Sequence, residues 1–177
     1  MESKQFNIPE GYNIPYYDKQ KRTFGQTIIK IRNTILGSLA FHCPFNIIRI
    51  QFHRWRGVHI GKEVYIGRYC FIDNYDPAYI YIENKASINA ESMILTHFNP
   101  SEHMAAISSA RVEPVLIKEG SSVSVRCVVL PGVVIGKNAI ISAGSVVDKS
   151  VPDCTLVRGN PAKKVLDYNF LFLNNDK

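Results

Sequence analysis

The side chains able to do acid–base chemistry are few and unevenly spread. Of the five histidines, His42, His53 and His59 fall in an N-terminal stretch rich in Lys and Arg, where they read as structural. His97 and His103 stand apart. A neutral imidazole can take a proton from a hydroxyl or amine and return it within one turnover, so either could serve as a general base. His97 follows Ile94-Leu95-Thr96 and directly precedes the longest break in the chain's repeat pattern; His103 lies inside that break. His97 is therefore the stronger candidate. Earlier in the chain, Asp73, Asn74 and Asp76 form a cluster that could hold a polar ligand or simply build a turn. The four cysteines, Cys43, Cys70, Cys127 and Cys154, show no Cys-x-x-Cys spacing. They read as packing residues in a reducing compartment.

These residues need a scaffold, and the scaffold is a six-residue period. From Ile117 to Pro152 the first slot of each unit is Ile117, Val123, Val129, Ile135, Ile141 and Val147, and the fifth is Ser121, Cys127, Val133, Ala139, Ser145 and Val151. Neither a helix nor a simple strand alternation yields a strict six; a parallel β-helix does, with one hexad for each flat side. A sandwich would give spacings of about 8–12 residues and alternating patterning. The same period runs through Ile60, Ile66, Ile72, Ile82, Ile88 and Ile94. It is offset once by a four-residue excursion around Pro77 and once by a loop spanning residues 98–114. Long loops in compact repeat domains are usually functional. Three sides per coil predict about four triangular coils, a prism roughly 20 Å tall.

At 177 residues, 20% charged and 46% apolar, the chain suits one folded domain. We divide it into an N-terminal arm and helical cap (1–56), a β-helix (57–152) and a C-terminal exit segment and tail (153–177). Residues 1–22 read as an extended arm. Apolar residues at helical spacing predict one helix over Phe24–Ala40 and a second from Pro44 to Trp55. Arg49, His53, Arg54 and Arg56 would give the second helix a basic side. Such a segment suits the open end of a solenoid. It also suits an anionic membrane surface, so peripheral membrane contact through this segment is an expectation. The net charge of +6 favours acidic ligands, but no basic, aromatic nucleic-acid module is present and no nucleic-acid partner is expected. The N-terminus lacks a signal-peptide order and no apolar run approaches the roughly 18 residues of a membrane span, which predicts a cytoplasmic protein.

Three local motifs carry a family resemblance: Ile-Leu-Thr-His (94–97), Leu-Pro-Gly-Val-Val-Ile-Gly with Ser-Ala-Gly-Ser-Val-Val (130–136, 142–147), and Val-Arg-Gly-Asn-Pro-Ala-Lys (157–163). Over about residues 57–166 the sequence resembles the hexapeptide-repeat acyltransferases. Within that family it is similar to the maltose, galactoside and Nod-factor O-acetyltransferases and to those of bacterial surface polysaccharides. The resemblance implies an all-β, left-handed parallel β-helix and a homotrimer with active sites between subunits. It also implies acetyl transfer from acetyl-CoA to a sugar hydroxyl, in polysaccharide biosynthesis, with His97 as general base. By the same resemblance Ser142, Ala143 and Gly144 would meet the pantetheine arm of CoA, and Lys149, Arg158 and Lys163 its phosphates. Asp73, Asn74 and Asp76 would hold the sugar. Direct transfer needs no acyl-enzyme, so the lack of a Ser-His-Asp signature is no objection.

Carbonic anhydrases of the γ type share the hexads and bind zinc through three histidines. Only His97 and His103 lie in the repeat region here, so no metal site is expected. Three departures bear on the acceptor and the CoA groove. Relatives often carry Trp where this chain has Ser122, and Ile-Gly where it has Val123-Ser124; Arg126 is large for its slot. An N-acetyltransferase of an amino sugar nucleotide or a xenobiotic acetyltransferase is the alternative enzyme. A β-helix scaffold or binding trimer is the alternative without turnover.

Overall fold

The computed structural model describes residues 8, 10–13, 24–104 and 106–171; most of the expected arm (1–22) and the end of the tail lie outside them. A short strand β1 (Tyr12–Asn13) is followed by helices α1 (Phe24–His42) and α2 (Asn46–Trp55). The chain then winds. Strands β2 (His59–Ile60), β3 (Tyr65–Ile66) and β4 (Phe71–Ile72) make one circuit, and β5 (Ile80–Ile82), β6 (Ser87–Ile88) and β7 (Met93–Ile94) the next. A hairpin of β8 (His97–Phe98) and β9 (Arg111–Val112) interrupts it. The circuits resume with β10 (Val115–Ile117), β11 (Ser122–Val123) and β12 (Val128–Val129), then β13 (Val134–Ile135), β14 (Ile140–Ile141) and β15 (Val146–Val147). Strands β16 (Thr155–Arg158) and β17 (Lys163–Asp167) close the chain.

Pairing is parallel from circuit to circuit and builds three sheets: β2-β5-β10-β13, β3-β6-β11-β14-β16 and β4-β7-β12-β15. The six-residue period is the reason. First-slot residues Ile66, Ile72, Ile82, Ile88, Ile94, Ile117, Val123, Val129, Ile135, Ile141 and Val147 are all buried, and so are the fifth-slot residues Cys70, Ala86, Ser121, Cys127, Ala139 and Ser145. Each side therefore puts a large aliphatic residue and a small one inward. The winding also runs past residue 152. Val151 bridges Ile135 and β16 pairs with β14, because Thr155 and Val157 continue the inward positions after the hexads lapse.

Stacked corners leave little room. A Cβ on Gly67 would lie 2.7 Å from the Cα of Ala90 on the next circuit, where only backbone could yield. Gly67→Ala is expected to lower stability by about 1–3 kcal/mol, the cost of an overpacked interior. Thermal unfolding would register this as a loss of roughly 2–4 °C for each kcal/mol, and an unchanged melting temperature would contradict the close approach.

The first circuit leaves three strand edges open, and the helices cover them. Arg54 donates to the carbonyls of Ile60 and Gly61, Arg49 to that of Ile66, and Arg56 to those of Ile72 and Asp73. One arginine thus serves each sheet. This overturns the expectation that the basic side of α2 faces a membrane. Arg49, His53 and Arg56 are each 2% exposed or less, because unpaired edge carbonyls need donors more than solvent needs the charge. Burial, then the charges of Arg56 and Arg49, lowers the His53 pKa to about 3, so that ring is neutral. Helix α1 crosses above Arg56 at Gly37, where a Cβ would strike the guanidinium and the Asn74 side chain.

Candidate active site

Asp73 follows β4 and His97 begins β8, one circuit later, so parallel register brings the two edges together. Asp73 is 1% exposed, and its Oδ2 accepts the Nδ1–H of His97 at 2.6 Å, the Thr96 N–H at 2.8 Å and the Thr96 hydroxyl at 2.9 Å. Its Oδ1 accepts the Tyr75 N–H at 2.8 Å. Burial by itself would raise the carboxyl pKa, but the hydrogen bonds from His97, Tyr75 and Thr96 prevail and hold it at about 2. The group is therefore an anion with no proton to give. Nδ1 must carry the ring proton, which leaves the Nε2 lone pair free to accept one.

The Asp73 hydrogen bond raises the His97 pKa; burial opposes it, the Asp73 and Asp76 charges add to it, and Lys30 opposes it. The Tyr75 ring lies against the imidazole at 4.9 Å between centroids, and the Lys30 ammonium of α1 sits 4.6 Å from the centre of the Tyr75 ring. Helix α1 therefore reaches the site. Beyond the imidazole, Arg111 pairs with Glu113 at 2.9 Å and lies over the Phe98 ring. Arg111, Glu113, Pro114, Leu116, Gly132 and Val134 line a cavity of about 320 Å³. Gly132 is at φ +79°, and a Cβ there would meet the Glu113 carboxylate at 3.1 Å.

The remaining candidates divide between two edges of the prism. Gly132 and Lys149 lie on turns between the β4-β7-β12-β15 sheet and the β2-β5-β10-β13 sheet, the edge that carries His97. Ser142, Ala143 and Gly144 lie on the next edge, where β14 leads to β15. Arg158 is one circuit above Ser142 by the Ile141–Val157 pairing, and Lys163 pairs with Arg158 in the closing hairpin. At Gly144 a Cβ would meet nothing within 4 Å, so that backbone is open. Arg126, on the same edge, is tied to Glu91 at 2.7 Å.

Two of the three sugar-holding candidates are already engaged. Asp73 stands behind His97 rather than beside an acceptor, and the Asn74 side chain accepts from Arg56. Asp76 is partly exposed. His103 is exposed, on the 102–104 turn of the loop. Among the described residues, no group of three His, Cys, Asp or Glu side chains could hold a metal ion. Lys30 escaped sequence reasoning, because nothing local links a helix to a corner 45 residues away. The aspartate had a signal: it falls one circuit before Leu95.

Known proteins agree with this architecture. Residues 114–149 match the bacterial transferase hexapeptide family (six repeats). The chain is 30% identical over 134 residues to YvoF of Bacillus subtilis, which bears an acetyltransferase name; the match covers 75% of this chain and 74% of that protein. It is 30% identical over 127 residues to the galactoside O-acetyltransferase of Lactococcus lactis, covering 69% of this chain and 60% of the relative. A Schizosaccharomyces pombe relative is matched over 52% of its length, so the chain spans about half of that protein. The maltose O-acetyltransferase structure from Clostridium difficile superposes with a TM-score of 0.64 at 18% identity, covering 89% of this chain and 91% of that one. A galactoside acetyltransferase in complex with coenzyme A gives 0.62 at 18% identity, with 93% and 96% covered. Repeat, winding and kinship coincide: the chain belongs to the hexapeptide-repeat acetyltransferases.

Proposed function

We propose that this protein transfers the acetyl group of acetyl-CoA to a hydroxyl of a sugar, in the cytoplasm and in the service of surface polysaccharide synthesis. The observation that carries the reading is the buried, ionised Asp73 on Nδ1 of His97. The acceptor hydroxyl gives its proton to Nε2 as its oxygen forms a bond to the thioester carbon. The tetrahedral adduct then collapses, the C–S bond breaks, and the imidazolium returns the proton to the departing CoA thiolate. No residue is acylated.

Sugar acceptors are supported by kinship with proteins named for galactoside and maltose, and CoA by structures that contain it. A left-handed sense of winding goes with that kinship. The CoA candidates Ser142–Gly144, Arg158 and Lys163 lie one prism side away from His97, and one hexad of extended chain spans up to about 20 Å. A thioester held on that edge of one subunit therefore meets His97 of a neighbour, which supports a homotrimer. Incubation with acetyl-CoA and a panel of galactosides, glucosides and amino sugars tests the reading through thiol release. Release that depends on a hydroxyl acceptor is the expected result. Release only with amines would reject O-transfer, and no release with any acceptor would reject the enzyme.

A further inference from the structure

We propose that the outward face of the helical cap docks on an anionic lipid bilayer. This goes beyond acetyl transfer and does not depend on it. Helix α1 turns Asn33, Gly37 and Ala40 toward the first circuit. Diametrically opposite, Phe24, Ile28, Ile31, Ile35 and Leu39 form a stripe about 22 Å long, each residue between 49% and 82% exposed. Helix α2 and its approach add Ile47, Ile48 and Trp55, each at least 45% exposed. Between the helices runs an apolar groove of about 630 Å³ lined in part by Ile35, Leu39, Ile48 and Phe52. A soluble protein rarely leaves so large a contiguous apolar surface to water.

Charge selects the occupant. Residues 24–62 contain no Asp or Glu and six Lys or Arg, of which Arg49 and Arg56 are buried against the first circuit and the other four are at least partly exposed. Arg32 borders the apolar stripe and is exposed, Arg54 of α2 is exposed while it donates to the Ile60 and Gly61 carbonyls, and Lys30 lies on the side of the active site. Apolar stripe, flanking cations and absent anions are the pattern of a helix lying in the interface of an anionic membrane. A second copy would bring the same exposed Arg32 and Arg54 to the contact, and the cap has no acidic residue to meet them. No helix among the described residues is long and apolar enough to cross a membrane, so the cap lies on the surface. Because Lys30 of α1 meets Tyr75, which meets His97, a docked cap holds the imidazole roughly one helix diameter, about 10 Å, from the headgroups. On the acetyl-transfer reading, that favours an acceptor tethered to lipid.

The full chain carries its own reporter, since Trp55 is its one tryptophan. We expect it to sediment with vesicles of mixed phosphatidylserine and phosphatidylcholine, with a blue shift of Trp55 emission, and to stay in solution with phosphatidylcholine alone or in high salt. The double variant Ile31→Ser/Ile35→Ser alters only half-exposed positions. It should melt as the parent does and bind the mixed vesicles at least about tenfold less. Failure of the parent to sediment with mixed vesicles would overturn the proposal, as would undiminished binding by the folded double variant. A change in sedimentation coefficient of the double variant without lipid would also overturn it, by assigning the face to self-association.

Discussion

His97→Ala is expected to lower kcat about 10³-fold, the middle of the range for a general base, equivalent to about 4 kcal/mol of transition-state stabilisation. The acceptor hydroxyl is a poor nucleophile until its proton is leaving, and His97 Nε2 is the atom with Nδ1 fixed by Asp73 and a free lone pair. KM for acetyl-CoA should stay within about threefold, because every CoA candidate except Lys149 lies on another edge and uniform donor binding is untouched. The fold should survive. Asp73 keeps donors from Thr96 and Tyr75 after the imidazole is gone, and the His97 side chain is already 33% exposed. Steady-state thiol release on a variant with a near-parental melting curve makes the check. Turnover within threefold of the parent would remove His97 from the mechanism.

The winding was legible because its signal is one-dimensional. A first-slot aliphatic and a small fifth-slot residue recur every six positions, and these are the buried positions at Ile117, Ser121, Val123 and Cys127. Even the insertions kept phase, since Ile72 pairs with Ile94 and Ile94 with Val129. The site was less legible for a physical reason. A corner residue is positioned by register between circuits and by what approaches from outside, and the hexad encodes only the first. Counting by circuits brings the count near Tyr75, which does lie against His97. It could not say that Asp73 turns inward under Thr96 while Asp76 stays partly exposed.

Amphipathicity was legible in the helices, but not its sense. Apolar-in is the default where the surface to be covered is apolar. Here it is a row of strand-edge carbonyls, so Arg49 and Arg56 went inward while Ile28, Ile31, Ile35 and Ile47 went outward. The inversion is a property of the coil end, not of the helix. Truncating the helices would therefore expose unpaired edges as well as remove packing.

Asp73→Asn should lower kcat about 10²-fold, roughly a tenth of the His97→Ala loss. An amide cannot serve five donors as a carboxylate does: those of Thr96, His97 and Tyr75 all point at Asp73. One of its atoms would be an NH₂ facing an N–H. The ring would then lose its fixed tautomer and the partner for the developing imidazolium. The pH profile separates this positioning role from a merely structural one. His97 is active when neutral, so the parent's rate rises as pH climbs through a pKa that Asp73 holds above the ordinary 6.5. Removing the largest raising cause should move that limb to lower pH while the plateau falls. Stability should report the same anion. The folded pKa of about 2 lies below the ordinary 3.8, so Asp73 contributes stability that is present above the ordinary value and lost as pH falls through the folded one. In the variant that segment of the melting-temperature curve should flatten. An unmoved kinetic limb, in a variant that turns over within threefold of the parent, would leave Asp73 a buried polar anchor and return the orientation of His97 to Tyr75 and the loop strand.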